Sequence, residues 1–203
     1  MSASERAYRH VKDRVLDGSL PGGELISESE IAEAVGMSRT PVRAAFGQLE
    51  AEGLLRLYPK RGALVVPVSA SETEAVMETR WVIERYAIER VIERPGDDVL
   101  ERVQELAEAQ VDLEGTDFVE TDRAFHRTLV AGTGNTLLLS LYDSLRDRQR
   151  RMAHATARSR SRRETTITEH RALADAIAAG DAERAYAVLR THLDGSLAAL
   201  RGR

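Results

Sequence analysis

Apolar residues in this chain mostly return every third or fourth position, the spacing of amphipathic helices. Ile31, Ala32 and Val35 share one face of a helix predicted over 28–35, and Val42, Phe46 and Leu49 share one face over 39–52. The same pattern predicts helices over 3–17, 69–94, 98–114, 117–132, 135–157, 163–179 and 181–201. Ser2-x-x-Glu5, Ser27-x-x-Glu30 and Ser69-x-x-Glu72 have the form of capping boxes that open three of them. Strand-like stretches are short: 55–58 and 63–66, around the turn-forming Pro59-Lys60-Arg61-Gly62. Pro67 ahead of the Ser69 cap marks a boundary, giving domains 1–67 and 68–203. The expected fold is mainly α. A winged helix-turn-helix of three helices and a small β-hairpin precedes an all-α domain.

Composition narrows what such a molecule does. With 42% hydrophobic and 31% charged residues, the 203-residue chain can bury a core and is not a disordered polymer. No run approaches the roughly 18 apolar residues of a membrane span, and Met1–Tyr8 are not an apolar leader, so a cytoplasmic protein away from membranes is expected. Cysteine is absent, which removes disulfides and thiolate metal sites. The net charge of −4 argues against nucleic acid until it is resolved by position. Residues 1–67 carry nine basic and nine acidic side chains, but 34–43 hold two arginines and no acid, and 53–67 hold three basic residues and no acid. A polarised domain can face phosphate at zero net charge.

The chemistry of residues 28–62 fits that polarity. Gly36 suits the turn between two short helices, and Ser38 suits the N-cap of the second, which in a helix-turn-helix enters the major groove. Arg39 and Arg43, four apart, share a face and can read guanine bidentately. Ser38 and Thr40 lie where helix N–H groups favour phosphate. Lys60 and Arg61 stand at the wing tip, where Gly62 permits close backbone approach. Solvated surface arginines are the plainer reading of the same residues. Residues 20–66, from LPGGELISESEIAEAVGMSRTPVRAAFGQLEAEGLL to KRGALVV, resemble the winged helix-turn-helix of the GntR family of bacterial transcription regulators. The resemblance implies DNA contacts at Ser38, Arg39, Thr40, Arg43, Arg61 and Gly62. Ala44 stands where the family usually has Glu, which leaves the base-facing arginines in place; Ser29 stands where it often has Arg, which removes a base or phosphate contact, so operator sequence does not transfer.

In the second domain, Asp122 and His126 lie on the inward side of a helix with Phe118, Phe125 and Leu129. His170 falls with Ile167, Leu173 and Ile177, and His192 with Val188 and Leu189. Four such side chains, buried, are costly unless paired or coordinated. A divalent metal answers the cost for all four, and three imidazoles with a carboxylate suit zinc first, then nickel, manganese or iron. Separately hydrogen-bonded histidines are the alternative. Arg80, on the otherwise apolar line Val76, Ile83, Ala87, needs an anion, either Glu84 or a ligand carboxylate. Asn135 reads as a helix cap with a possible ligand contact, Arg148 as solvated or cavity-facing, and Trp81 and Tyr86 as core. The basic run Arg158–Arg163 reads as a loop.

Residues 69–201 resemble the FCD ligand-binding domain of the FadR-like branch of that family, through R-W-V-I-E, D-R-A-F-H, G-T-G-N, E-H-R-A-L and H-L. Asp122, His126, His170 and His192 match the branch's metal ligands. The resemblance implies a metal-bound bundle of six or seven helices that senses a small organic acid and forms a homodimer. A non-enzymatic regulator of operator DNA, most simply a repressor, is therefore expected. A metal-dependent enzyme and a regulator with a purely structural metal are the rivals.

Overall fold

The computed structural model describes residues 1–94, 96–157 and 159–201, with the side chains of all of these except 97, 146, 154–157 and 201. The chain divides into two compact units, the first Met1–Ser69 and the second from Ala70 onward.

The first unit contains α1 (Ala3–Leu16), β1 (Leu25–Ile26), α2 (Glu28–Ala34), α3 (Arg39–Ala51), β2 (Leu55–Tyr58) and β3 (Gly62–Val65). Ala7 and Val11 of α1 meet Val42, Ala45, Phe46 and Leu49 of α3 in a core closed by Leu55, Ala63 and Val65. Two caps set the start of the helix-turn-helix and its turn. Ser27 and Glu30 complete a capping box on α2. At its other end Gly36, at φ 65°, lets Gly36 N–H reach Glu33 O and Met37 N–H reach Ala32 O, which satisfies the last carbonyls. The expected hairpin forms, β2 pairing antiparallel with β3, and β1 adds a third strand to it in the order β1-β3-β2. Leu25 pairs with Leu64 and Ile26 with Ala63. A two-residue strand is too short to display alternation.

The second unit is helical: α4 (Ala70–Glu93), α5 (Asp97–Ala109), α6 (Gly115–Gly132), α7 (Thr136–Asp143), α8 (Arg146–Ala157), α9 (Arg160–Ala178) and α10 (Ala182–Arg201). Its core gathers Ile83, Ala87 and Ile88, Phe125 and Leu129, Leu173 and Ile177, and Leu189 and Leu193. α10 packs on α9 and α4, and α6 packs on α4, α5 and α8. Two boundaries depart from the sequence pattern. The helix expected over 135–157 is broken at Ser144-Leu145, where Ser144 N–H turns back to Ser140 and Leu141 carbonyls. The expected 158–163 loop is in fact helical from Arg160, capped by Ser159, whose side chain accepts the Arg162 N–H. Arg158 lies outside the described residues. No described helix is long and apolar enough to cross a membrane.

Candidate functional site

Two groups of side chains, one in each unit, carry chemistry. In the first unit, the N-terminus of α3 presents Ser38, Arg39, Thr40 and Arg43 on an exposed surface. Ser38 holds the N-cap backbone conformation, φ −72° and ψ 165°, yet makes no side-chain capping hydrogen bond. Arg39 and Arg43 share an unpredicted partner. Glu28 accepts Arg43 Nε–H at 2.8 Å and Nη2–H at 2.9 Å, and Arg39 Nη2–H at 3.4 Å. At the wing, Arg61 N–H donates to Tyr58 O, closing a turn whose third residue, Lys60, sits at φ 63°. A non-glycine residue there is strained, and its side chain is held out at the tip. Gly62 also answers a need inside the sheet. A Cβ on it would lie 2.2 Å from Ile26 O, so the close approach is made within the sheet.

In the second unit, α6 supplies Asp122 and His126, α9 supplies His170 and α10 supplies His192. One ligand atom from each lies within 4.8 Å of all the others. His126, His170 and His192 are buried, and Asp122 is half-buried. Two of the imidazoles are fixed by hydrogen bonds through Nδ1, and the third has a carboxylate beside its Nδ1. His170 Nδ1 hydrogen-bonds Gln110 Oε1 at 2.7 Å and His192 Nδ1 hydrogen-bonds Glu169 Oε2 at 2.8 Å, while His126 Nδ1 lies 2.8 Å from Glu84 Oε2 out of hydrogen-bond alignment. Acceptor oxygens place the proton on Nδ1 and leave a lone pair on Nε2. His126 Nε2 and His170 Nε2 then face each other at 3.1 Å, with Asp122 Oδ1 3.6 Å from the latter. Two lone pairs and a carboxylate converge unfavourably unless a cation lies among them. That donor set fits a divalent metal. Burial and the neighbouring His192, His126 and Arg80 hold His170 well below its ordinary pKa, which keeps it the neutral imidazole that a metal binds.

A cavity of about 50 Å³ adjoins Asp122, His126 and His192. Its apolar wall includes Val76, Met77, Phe118, Val119, Met152 and Ala153. Arg80 lines it and answers both readings of its partner at once. Its Nε donates to Glu84 Oε1 at 2.7 Å, while its Nη2 is buried without a hydrogen-bond partner. Glu84 Oε1 also accepts the Tyr142 hydroxyl at 2.8 Å. Burial pushes the Glu84 carboxyl up, but Arg80 and His126 outweigh it and keep the group ionised. Gln149 lines the cavity too, with its Nε2 buried and unpartnered.

Other candidates lie elsewhere. Asn135 is exposed and does not line this cavity; its Oδ1 accepts Leu138 N–H at the start of α7. Arg148 is also absent from the lining and pairs with Glu72 at 3.4 Å, 54% exposed. Trp81 lies half-buried beneath the Arg190 guanidinium, and Tyr86 is exposed, so neither is core. Missed by the sequence reading were Gln110, Glu169, Gln149 and Arg162. Arg162 donates to Glu169 Oε1, His192 O and Ser196 Oγ, each at 3.0 Å, and so braces the His192 end of the cluster.

Known proteins share this architecture. The profile described as "Bacterial regulatory proteins, gntR family" matches residues 3–65, and that of the FCD domain matches residues 75–195. The HTH-type transcriptional repressor GlaR of Escherichia coli is 28% identical over 92% of the chain and 90% of its own length. A crystal structure of a GntR transcriptional regulator from Rhodococcus superposes over 100% of the chain and 99% of its own, with a TM-score of 0.77 and 24% identity. An FCD domain solved without metal matches 65% of this chain and 93% of its own, with a TM-score of 0.55 and 25% identity. The same domain with Zn2+ bound gives a TM-score of 0.54 and 24% identity over 66% of this chain and 95% of its own.

Proposed function

Because the chain belongs to the GntR family of DNA-binding transcription regulators and carries an FCD domain, we propose that it is a repressor whose operator affinity is set by a small organic acid. Residues 1–67 would read DNA and residues 68–203 would hold the acid at a divalent metal, with zinc the best match to three imidazoles and a carboxylate.

One observation carries this reading: three buried imidazoles and Asp122 bring a ligand atom each within 4.8 Å of one another, beside a cavity where Arg80 Nη2 lacks a partner. Asp122, His126, His170 and His192 would hold the cation, which when bound supplies a Lewis-acid position for a carboxylate oxygen. Arg80 would donate Nη2–H to the same carboxylate, and Gln149 its Nε2–H to a second acceptor on the ligand. Val76, Phe118 and Met152 would exclude water from the ligand's carbon body. Asn135 and Arg148, each engaged elsewhere, are not part of the proposed contacts.

In the first unit Arg39 and Arg43 would reach base edges, Ser38 and Thr40 phosphates, and Lys60 and Arg61 the minor groove or backbone. A homodimer would present two such units to two half-sites. The acid can change DNA affinity only by binding one arrangement of the protein better than another.

The test is His170→Ala. Metal content by elemental analysis should fall well below one per chain while far-ultraviolet circular dichroism is retained, and small carboxylates should no longer raise the thermal midpoint. A variant that keeps its metal would refute the site.

A further inference from the structure

Glu28 is gripped by the two arginines that α3 turns outward, and the way it grips them has a consequence. Its two oxygens take Nε–H and one Nη2–H of Arg43 at 2.8 and 2.9 Å, a side-on fork. A guanidinium has five N–H groups in one plane. The side-on fork leaves both Nη1 hydrogens and the outer Nη2 hydrogen, and the outer hydrogens of Nη1 and Nη2 form the end-on edge. That edge remains able to donate bidentately to O6 and N7 of guanine. A carboxylate holding Arg43 from the side thus fixes the plane of the guanidinium and leaves its reading edge open. Oε2 also lies 3.4 Å from Arg39 Nη2, so one carboxylate orients both side chains.

Glu28 is itself well anchored. It is the first residue of α2, directly after Ser27, whose capping box with Glu30 fixes that turn. The wing backs the same point: a Cβ on Gly62 would lie 3.3 Å from Ser27 Cα. The Glu28 side chain is 17% exposed, whereas that of Arg43 is 68% exposed. A pair with so exposed a partner adds little to stability, so folding does not account for the arrangement. Hydrogen bonds from Arg43 hold the Glu28 carboxyl below its usual range, against the opposing effect of burial, and keep it charged.

We propose that Glu28 is a positioning residue for base recognition: it orients Arg43, and with it Arg39, so that the end-on edge of Arg43 meets a guanine. The proposal rests on the reading of residues 1–67 as the DNA-binding domain. It makes an unusual demand. A negative charge beside DNA repels phosphate, so removing it should not weaken sequence-independent binding, while recognition of one base should be lost.

The experiment selects duplexes from a randomised pool with the full-length protein, its Glu28→Gln and Glu28→Ala variants, and Arg43→Ala. The wild type should enrich a symmetric motif with a guanine in each half-site. Both Glu28 variants should lose about tenfold in discrimination at that guanine, at the same position as Arg43→Ala, and keep preferences elsewhere. Their binding to duplex of unrelated sequence, and their thermal midpoints, should not fall. Unchanged discrimination in Glu28→Ala would overturn the proposal. So would tighter binding to every sequence with preferences intact, which would make Glu28 a competitor of DNA. A wild type that enriches no motif would overturn the DNA-reading function as well, and so is distinguishable from failure of Glu28 alone.

Discussion

An imidazole has two nitrogens, and the group that holds one decides what the other can do. In this protein Gln110 holds Nδ1 of His170 and Glu169 holds Nδ1 of His192, while a Glu84 oxygen lies 2.8 Å from Nδ1 of His126. The His192 anchor is braced in turn, since Arg162 fixes Glu169. Glu169→Ala should therefore weaken Zn2+ binding about 10- to 100-fold without touching a ligand, measured by competition with a chelating dye. Equal affinity would mean that the ring is held by packing alone. The four ligand candidates were legible because each falls on the inward stripe of its own helix. Their supports were not, because they come from other helices and sequence spacing does not join them. Arg162 was hidden for a second reason: a run of arginines and serines reads as a solvated loop. Its place on a stripe with Thr166, Glu169 and Leu173 was the signal that would have found it, and both Arg162 and Thr166 line the cavity.

Helix starts and stops were readable where the backbone needs a particular residue and unreadable where tertiary contacts decide. Ser2 and Ser27 cap as their spacing indicates. The break between α7 and α8 has no Gly or Pro to announce it, and β1 exists only because β3 lies beside it. Gly36 belongs to the first kind. At φ 65° it ends α2 and allows Met37 N–H to reach Ala32 O, which sets the angle at which α3 leaves the turn. Gly36→Ala should destabilise the first unit by about 1–2 kcal/mol, the left-handed penalty of a side chain. The lone tryptophan, Trp81, lies in the second unit and does not report on this one. Hydrogen exchange at the Val42 and Phe46 amides is the suitable measurement, and protection equal to wild type would mean the turn relaxes to another cap.

At the scale of the whole molecule, the net charge of −4 is a sum over two units with different tasks, a neutral but polarised one and an acidic one. Each has its own core, and coupling between them is a difference in free energy between states of the protein. Coupling of that kind is reciprocal. If a carboxylate lowers operator affinity by a given factor, saturating operator should lower carboxylate affinity by the same factor, on the order of 5- to 150-fold for typical couplings. Calorimetric titration of the acid into protein with and without its selected duplex measures it. The comparison also separates two mechanisms that look alike in a release assay. Organic acids chelate metals, and an acid that strips the cation would release DNA too. In that case metal content would fall as DNA is released, and the reciprocal shift would be missing. A bound acid that acts through the protein leaves one metal per chain and equal factors in both directions.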